Sequence, residues 1–338
     1  MAYTTINKST SFQNQLIWDG TGATNARTGL GFQPDFCWGK ERSSTSGSIL
    51  QDSVQGLSVY LASNSTSGTS PTSVQFTSFD SDGFTLGTST GINQSGQTNV
   101  GWAWKAGTTA IPSGSTTDPS AVSINTTSGF GMYKITAPGS GDYVLKHGLG
   151  ATPAMVIVKR TDGTQKWMVW SKEFSNATDD YIVLNTNAAK ATYSTCWGTM
   201  NSTDCTIATG GTLDTGAEHI IYVFTEKLGY SKSGSYVGNG NANGTFVYTG
   251  FKPSFVMIKL TNGSAHWSMF DNKRLGYNTA NRVLYANETA AEETLDIDLL
   301  SNGFKPRTTD DKINDGNYIY LAMGQTVVGT NNIPATAR

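Results

Sequence analysis

The chain has 338 residues, a formal net charge of −2 and 14% charged residues, against roughly 25% in an average soluble domain. Aromatics make up 11%, with 8 Trp and 14 Tyr, which excludes a disordered chain, since such chains are short of aromatics. No apolar run reaches membrane-spanning length, the start MAYTTINKSTSFQNQ lacks the regions of a secretory signal, and 23 basic against 25 acidic residues leave no electrostatic footprint for nucleic acid.

From the amino terminus, the first predicted element is an aromatic strand running into glycine turns, Trp18-Asp19-Gly20-Thr21-Gly22. The segment GFQPDFCWGK follows, with Gly31 three residues before Pro34 and Lys40 six after it. Proline presets an extended entry but donates no ladder bond, so it belongs at the first position of a strand. The loop Arg42–Gly47 leads to Ile49 and Leu50, and the strand SVYL ends at Leu61, three before Asn64. Phe79-Asp80-Ser81-Asp82-Gly83-Phe84 predicts a turn into a new strand, and Val100-Gly101-Trp102-Ala103-Trp104 an alternating closing strand. Alternation puts Trp102 and Trp104 on a core face and Gly101 and Ala103 on a face that is small or wet. Residues 109–128, TAIPSGSTTDPSAVSINTTS, read as an extended Pro/Ser/Thr linker.

The same order then returns. Tyr133 with Gly139 and Gly141 opens a second copy, and GATPAMVIVK places Gly150, Pro153 and Lys159 at the offsets of the first. Asp162-Gly163 before Trp167 and Trp170 predicts a tight hairpin turn, and Leu184/Asn187 and Ile220-Ile221-Tyr222-Val223-Phe224 complete the copy. In the third, Tyr236 opens, GFKPSFVMIK carries Gly250, Pro253 and Lys259, and Asn262-Gly263 predicts another tight turn before Trp267 and Phe270. Leu284/Asn287, Leu300-Ser301-Asn302-Gly303-Phe304 and Tyr318-Ile319-Tyr320-Leu321 finish it. Helix-forming composition is confined to Asn287–Asp298, a short helix or a loop turn, and Asn187–Lys190, a single helical turn.

Short strands and frequent turns therefore predict an all-β chain of three tandem antiparallel β-sandwich (jelly-roll or lectin-like) repeats of about 95 residues. The repeats cover 10–108, 129–230 and 233–325, with the linker at 109–128 and an extended tail at 326–338.

No constellation for catalysis is visible, so the chain reads as a non-enzyme. His147, His219 and His266 recur in no other copy and have no metal-ligand spacing. Glu173, Asp179, Asp180, Glu292 and Glu293 are the carboxylates that a glycosidase pair would draw on, yet no pair recurs; Asp179-Asp180 and Glu292-Glu293 read as solvated loop charges. Asp80-Ser81-Asp82-Gly83 opens like a calcium loop but lacks the later ligands and reads as a turn. No cofactor and no metal is expected. Cys37, Cys196 and Cys205 read as small buried side chains rather than a disulfide framework. Trp18, Trp38, Trp102, Trp104, Trp167 and Trp267 fall at strand landmarks and are assigned to the core. Trp197 with Tyr193, in the loop YSTCWGTMNSTDC peculiar to the second copy, is the candidate for glycan or partner binding, against the plainer role of filling its own loop.

The phrases GFQPDFCW, SFDSDGFTLG, VGWAWKAG, GSYVGNGNANGTFVYTGFKP, FDNKRLGYN and LLSNGFKPR, with the Pro334–Arg338 ending, resemble modules of marine bacteriophage virion proteins labelled structural or tail-fibre-like. The resemblance covers about residues 10–338. It implies lectin-like (concanavalin or laminin-G type) sandwiches on a virion surface, made in the host cytoplasm without a signal peptide. It also implies partners among other virion proteins of capsid or tail, host-surface polysaccharide as a further ligand, and a homo-oligomer with a trimer favoured. Tail fibre, adhesin and capsid decoration all fit the resemblance. The absence of a long amino-terminal anchoring region favours decoration. A stand-alone carbohydrate-binding protein is the alternative, and a polysaccharide-degrading enzyme the less favoured one.

Overall fold

A computed structural model describes residues 4–274 and 280–325. Among them every named strand pairing is antiparallel, there is no α-helix, and the one helical element is a 3-10 turn at Ser9–Ser11. The expected tail at 326–338, including Pro334–Arg338, lies outside the described residues.

One strand order occurs three times. In the first segment it is Gln13–Asp19, Thr98–Trp104, Phe36–Glu41, Ile49–Asp52. In the second it is Phe130–Thr136, Glu218–Thr225, Pro153–Arg160, Met168–Ser171. In the third it is Ser231–Val237, Asn317–Gly324, Pro253–Leu260, Ser268–Asp271. Each proline-led strand is thus central, flanked by the closing strand and the strand that follows it. Gly31, Gly150 and Gly250 enter it with φ of 91°, 67° and 86°, a left-handed conformation that costs an L side chain about 1–2 kcal/mol. This is why glycine recurs at that offset.

Both faces of these sheets are buried. In the first segment, Trp18, Cys37, Phe76, Phe84, Leu86 and Ala103 form an inner core beneath the sheet Asn25–Thr28, Gly83–Leu86, Phe76–Asp80. The face carrying Gly101 and Ala103 is therefore small but not wet: a Cβ on Gly101 would stand 3.1 Å from the Trp18 ring. In the third segment the sheet continues through Ala280–Tyr285, Glu293–Leu300, Gly303–Pro306 and Val247–Tyr248, and encloses Val256, Ile258, Phe270, Ile297, Phe304 and Tyr320. In the second, Tyr143–Lys146, Asp204–Ile207 and Trp197–Met200 form a second small sheet. The opposite faces of all three sheets meet in one shared core. Trp104 lies 5.3 Å from Phe36, 6.4 Å from Phe224 and 5.6 Å from Phe255, ring centroid to centroid, and so touches aromatics of all three segments.

Several local expectations change. Glu293–Leu300 is a strand, because Leu295, Ile297 and Leu299 alternate and are buried, and that period outweighs helix propensity. Asn187–Lys190 is not helical either. The linker is not free: Ala121–Asn125 pairs along Phe130–Thr136, and Thr116 N donates to Val144 O at 2.9 Å. The second sheet therefore begins at Ala121, inside the predicted linker. Asp162-Gly163 and Asn262-Gly263 do not make tight turns. They lie in connections 161–167 and 261–267, equal in length to 42–48 of the first segment.

Candidate functional site

The three long connections explain themselves at the segment boundaries, where their backbone groups bond to the neighbouring segment. Between the first and second segments, Thr69 N donates to Thr161 O at 2.8 Å and Gln165 N to Thr66 O at 2.9 Å. Between the second and third, Lys190 N donates to Thr261 O and Ala265 N to Asn187 O, both at 2.9 Å. Between the third and first, Glu292 N donates to Arg42 O at 2.7 Å and Ser46 N to Thr289 O at 2.8 Å. The acceptors Arg42, Thr161 and Thr261 each stand two residues after the recurring lysine, and the donors Ser46, Gln165 and Ala265 six after it. The same junction is made three times and closes the segments into a ring.

The recurring lysines complete each junction. Lys40 Nζ donates to Glu288 O at 2.6 Å, Lys159 Nζ to Thr66 O at 3.0 Å, and Lys259 Nζ to Asn187 O at 3.0 Å, all across a boundary. Each also reaches a carbonyl of its own segment: Ser46 O, Arg160 O and Ala265 O respectively. Burial pulls all three ammonium groups down to about 8. Sequence reading found the lysines as a repeat mark but gave them no role.

A second set of contacts follows the same symmetry. Asp52 accepts from Tyr222 Oη at 2.9 Å, and Asp271 accepts from Trp102 Nε1 at 3.0 Å, each across a boundary. By strand register the third pair is Ser171 with Leu321. Leucine has no donor, and the buried carboxylate is missing there too. A buried carboxylate without a partner is costly, which accounts for the matched change. Arg274, fully buried, bonds to Asp271 at 2.6 Å and Glu292 at 3.0 Å, and lies over the Trp102 ring at 5.4 Å.

The carboxylates named from the sequence are dispersed. Glu292 is not a solvated loop charge: it pairs with Arg42 and Arg274. Asp180 is buried and accepts from Lys190, from Thr192 at 2.9 Å and from Asn176 N at 3.1 Å. Asp179 is half-buried and accepts from Thr195 N at 2.9 Å, and Glu293 accepts from Tyr285 Oη at 2.8 Å. Glu173 accepts from Ser235 Oγ across the second boundary at 2.6 Å. Asp80 and Gly83 flank the two-residue turn Ser81-Asp82, with Asp82 accepting from Gly29 N and Gly31 N.

Two histidines are buried and neutral. Leu149 N donates to His147 Nδ1, so Nε2 donates to Asn201 O, and burial lowers its pKa. Asp214 N donates to His219 Nε2, so Nδ1 donates to Ala217 O, and burial lowers it to about 4. His266 packs on Tyr285 at 4.9 Å. Among the described residues no three His, Cys, Asp or Glu side chains group as metal ligands.

All six landmark tryptophans are buried. Trp197, the candidate binding ring, is also buried, at 1% exposure, with its Nε1 donating to Asp180 O at 3.1 Å. It fills its own loop and does not offer a surface ring. Trp197→Phe, which deletes that donor, is expected to cost about 1–2 kcal/mol, whereas Tyr193→Ala should stay within about 0.5 kcal/mol as a surface change; denaturant titration of both variants checks the contrast. Tyr193 is 56% exposed and borders a groove of about 350 Å³ with Gln165, Lys166, Met168 and Tyr181. Sequence reading missed those four, since they come from distant strands and connections.

A family described as a domain of unknown function (DUF7483) matches residues 8–326. No curated protein and no solved structure matches the chain.

Proposed function

We propose that this chain, which belongs to the DUF7483 family, is a non-enzymatic bacteriophage virion surface protein that binds other virion proteins. The observation that supports this reading is the closed ring: three segments locked around one core, with the lysines, the buried Asp52, Asp271 and Arg274 and the half-buried Glu292 spent on holding segments together. Such a body suits rigid display. Its sequence phrases add the resemblance to virion modules.

Mass spectrometry and imaging of purified particles test the reading. The protein is expected in the particle, in many copies if it decorates the capsid and in few if it serves as tail fibre or adhesin. Its absence from particles rejects the proposal. Sedimentation mass tests the homotrimer. A stand-alone carbohydrate-binding protein is the second reading, favoured by exposed Tyr193 at its groove.

A further inference from the structure

We propose that Asn262-Gly263, at the junction of the second and third segments, is a site of self-modification, where the asparagine deamidates through a succinimide in the folded protein ahead of the chain's other Asn-Gly pairs. The inference stands apart from the virion reading and holds with or without it.

Glycine after asparagine leaves the peptide nitrogen unhindered, because it carries no side chain. The chain has four such pairs, at Asn239, Asn243, Asn262 and Asn302. The reaction needs that nitrogen free to attack the asparagine Cγ, and in three pairs it is engaged or held. Gly240 N donates to Asn314 O at 2.7 Å, and Gly244 N to Pro306 O at 3.2 Å. Gly303 is a strand residue paired with Leu300 on one side and Tyr248 on the other. Gly263 lies between strands, and among the described residues its N–H donates to no acceptor.

The electrophile is prepared as well. Asn317 N donates to Asn262 Oδ1 at 2.9 Å, and Thr261 N donates to Asn317 O at 2.8 Å, so one residue pins both the side-chain carbonyl and the backbone before it. As the ring closes, negative charge gathers on Oδ1, and an N–H already placed there stabilises it. Asn262 is exposed, and its Nδ2, the group that leaves, has no partner among the described residues. Gly263 N bonds to Asn262 Cγ and gives up its proton. The Cγ–Nδ2 bond breaks, and Nδ2 departs as ammonia with that proton. Water then opens the ring at either carbonyl, leaving aspartate or isoaspartate.

The second segment shows that the aspartate product fits. Asp162 stands three residues after Lys159, as Asn262 does after Lys259. It accepts from Glu218 N at 3.1 Å, and Glu218 opens its closing strand as Asn317 opens the third. Isoaspartate has no such precedent. It adds a methylene to the backbone between Thr261 O and Ala265 N, the two groups bonded to Lys190 N and Asn187 O across the boundary, and so strains that junction.

The full-length protein is held at mildly alkaline pH, folded and in parallel in denaturing urea. Peptide mapping by mass spectrometry follows the exchange of NH2 for OH at each asparagine. In the folded protein Asn262 is expected to convert roughly tenfold or more faster than Asn239, Asn243 and Asn302. In urea, where all four share the same local chemistry, the gap should close. Gly263→Ala, whose added Cβ meets only the Leu260 side chain, should slow the folded reaction. Conversion of Asn262 no faster than the others, the same lead kept in urea, or an undiminished rate in Gly263→Ala overturns the proposal. A melting temperature that falls in step with isoaspartate content supports the strained junction, and one that does not fall overturns that consequence.

Discussion

Trp104→Ala is expected to destabilise the whole chain by about 3–5 kcal/mol, the range for emptying a large buried aromatic position, and to move a single unfolding transition. Trp104 is the aromatic hub of the shared core, reaching Phe36, Phe224 and Phe255, and aromatic pairs add about 0.5–1.5 kcal/mol each beyond burial. Its loss therefore opens a cavity facing three sheets at once. Scanning calorimetry distinguishes this from independent folding. If the segments fold apart, several transitions appear and one of them moves. If they share a core, one transition moves as a whole. Trp104→Phe should cost less than about 1.5 kcal/mol, because it also removes an indole N–H that is buried without a partner.

The register of the fold was legible in the sequence, but its consequence was not. Gly, Pro and Lys at fixed offsets located the central strands, because a left-handed entry and a strand start each demand a particular residue. Alternation located the closing strands, and the landmark tryptophans were assigned to the core, where they lie. Local pattern could not reveal that each sheet has a second buried face. Gly101 and Ala103 look like a surface stripe until the Trp18 ring is placed against them. The Asp-Gly and Asn-Gly pairs carry hairpin-turn chemistry, yet their connections are held open by bonds to a neighbouring segment, which is long-range information. Trp197 failed as a candidate for a related reason: unusual sequence marked its loop, but that loop buries its tryptophan and exposes its tyrosine.

The lysines yield the second large effect, and its sign runs against the usual expectation for alkaline pH. Lys40, Lys159 and Lys259 titrate near 8 in the folded protein, against an ordinary 10.5. Below 8 both states hold these protons, and the folded state carries the full cost of three buried charges. Between about 8 and 10.5 the folded state sheds protons that the unfolded chain retains, so stability rises with pH. The slope approaches about 1.4 kcal/mol per pH unit for each lysine. The neutral amines still donate to their carbonyls, so the junctions need not open. The climb is opposed from about pH 9, because burial also raises the pKa of Cys37, Cys196 and Cys205 and the unfolded thiols ionise first, and above about pH 10 the buried Tyr133, Tyr222 and Tyr236 act in the same sense. Denaturant midpoints should therefore climb from about pH 8, level off as the thiols take effect, and fall above about pH 10. Lys259→Met removes one proton from the climb but leaves Ala265 O without its lysine donor, at about 1–3 kcal/mol. The flattened slope, rather than the stability at pH 7, is thus the diagnostic quantity. A slope between about pH 8 and 10 that is the same in the parent and in Lys259→Met would show that the Lys259 ammonium group is not held in the dry junction described above.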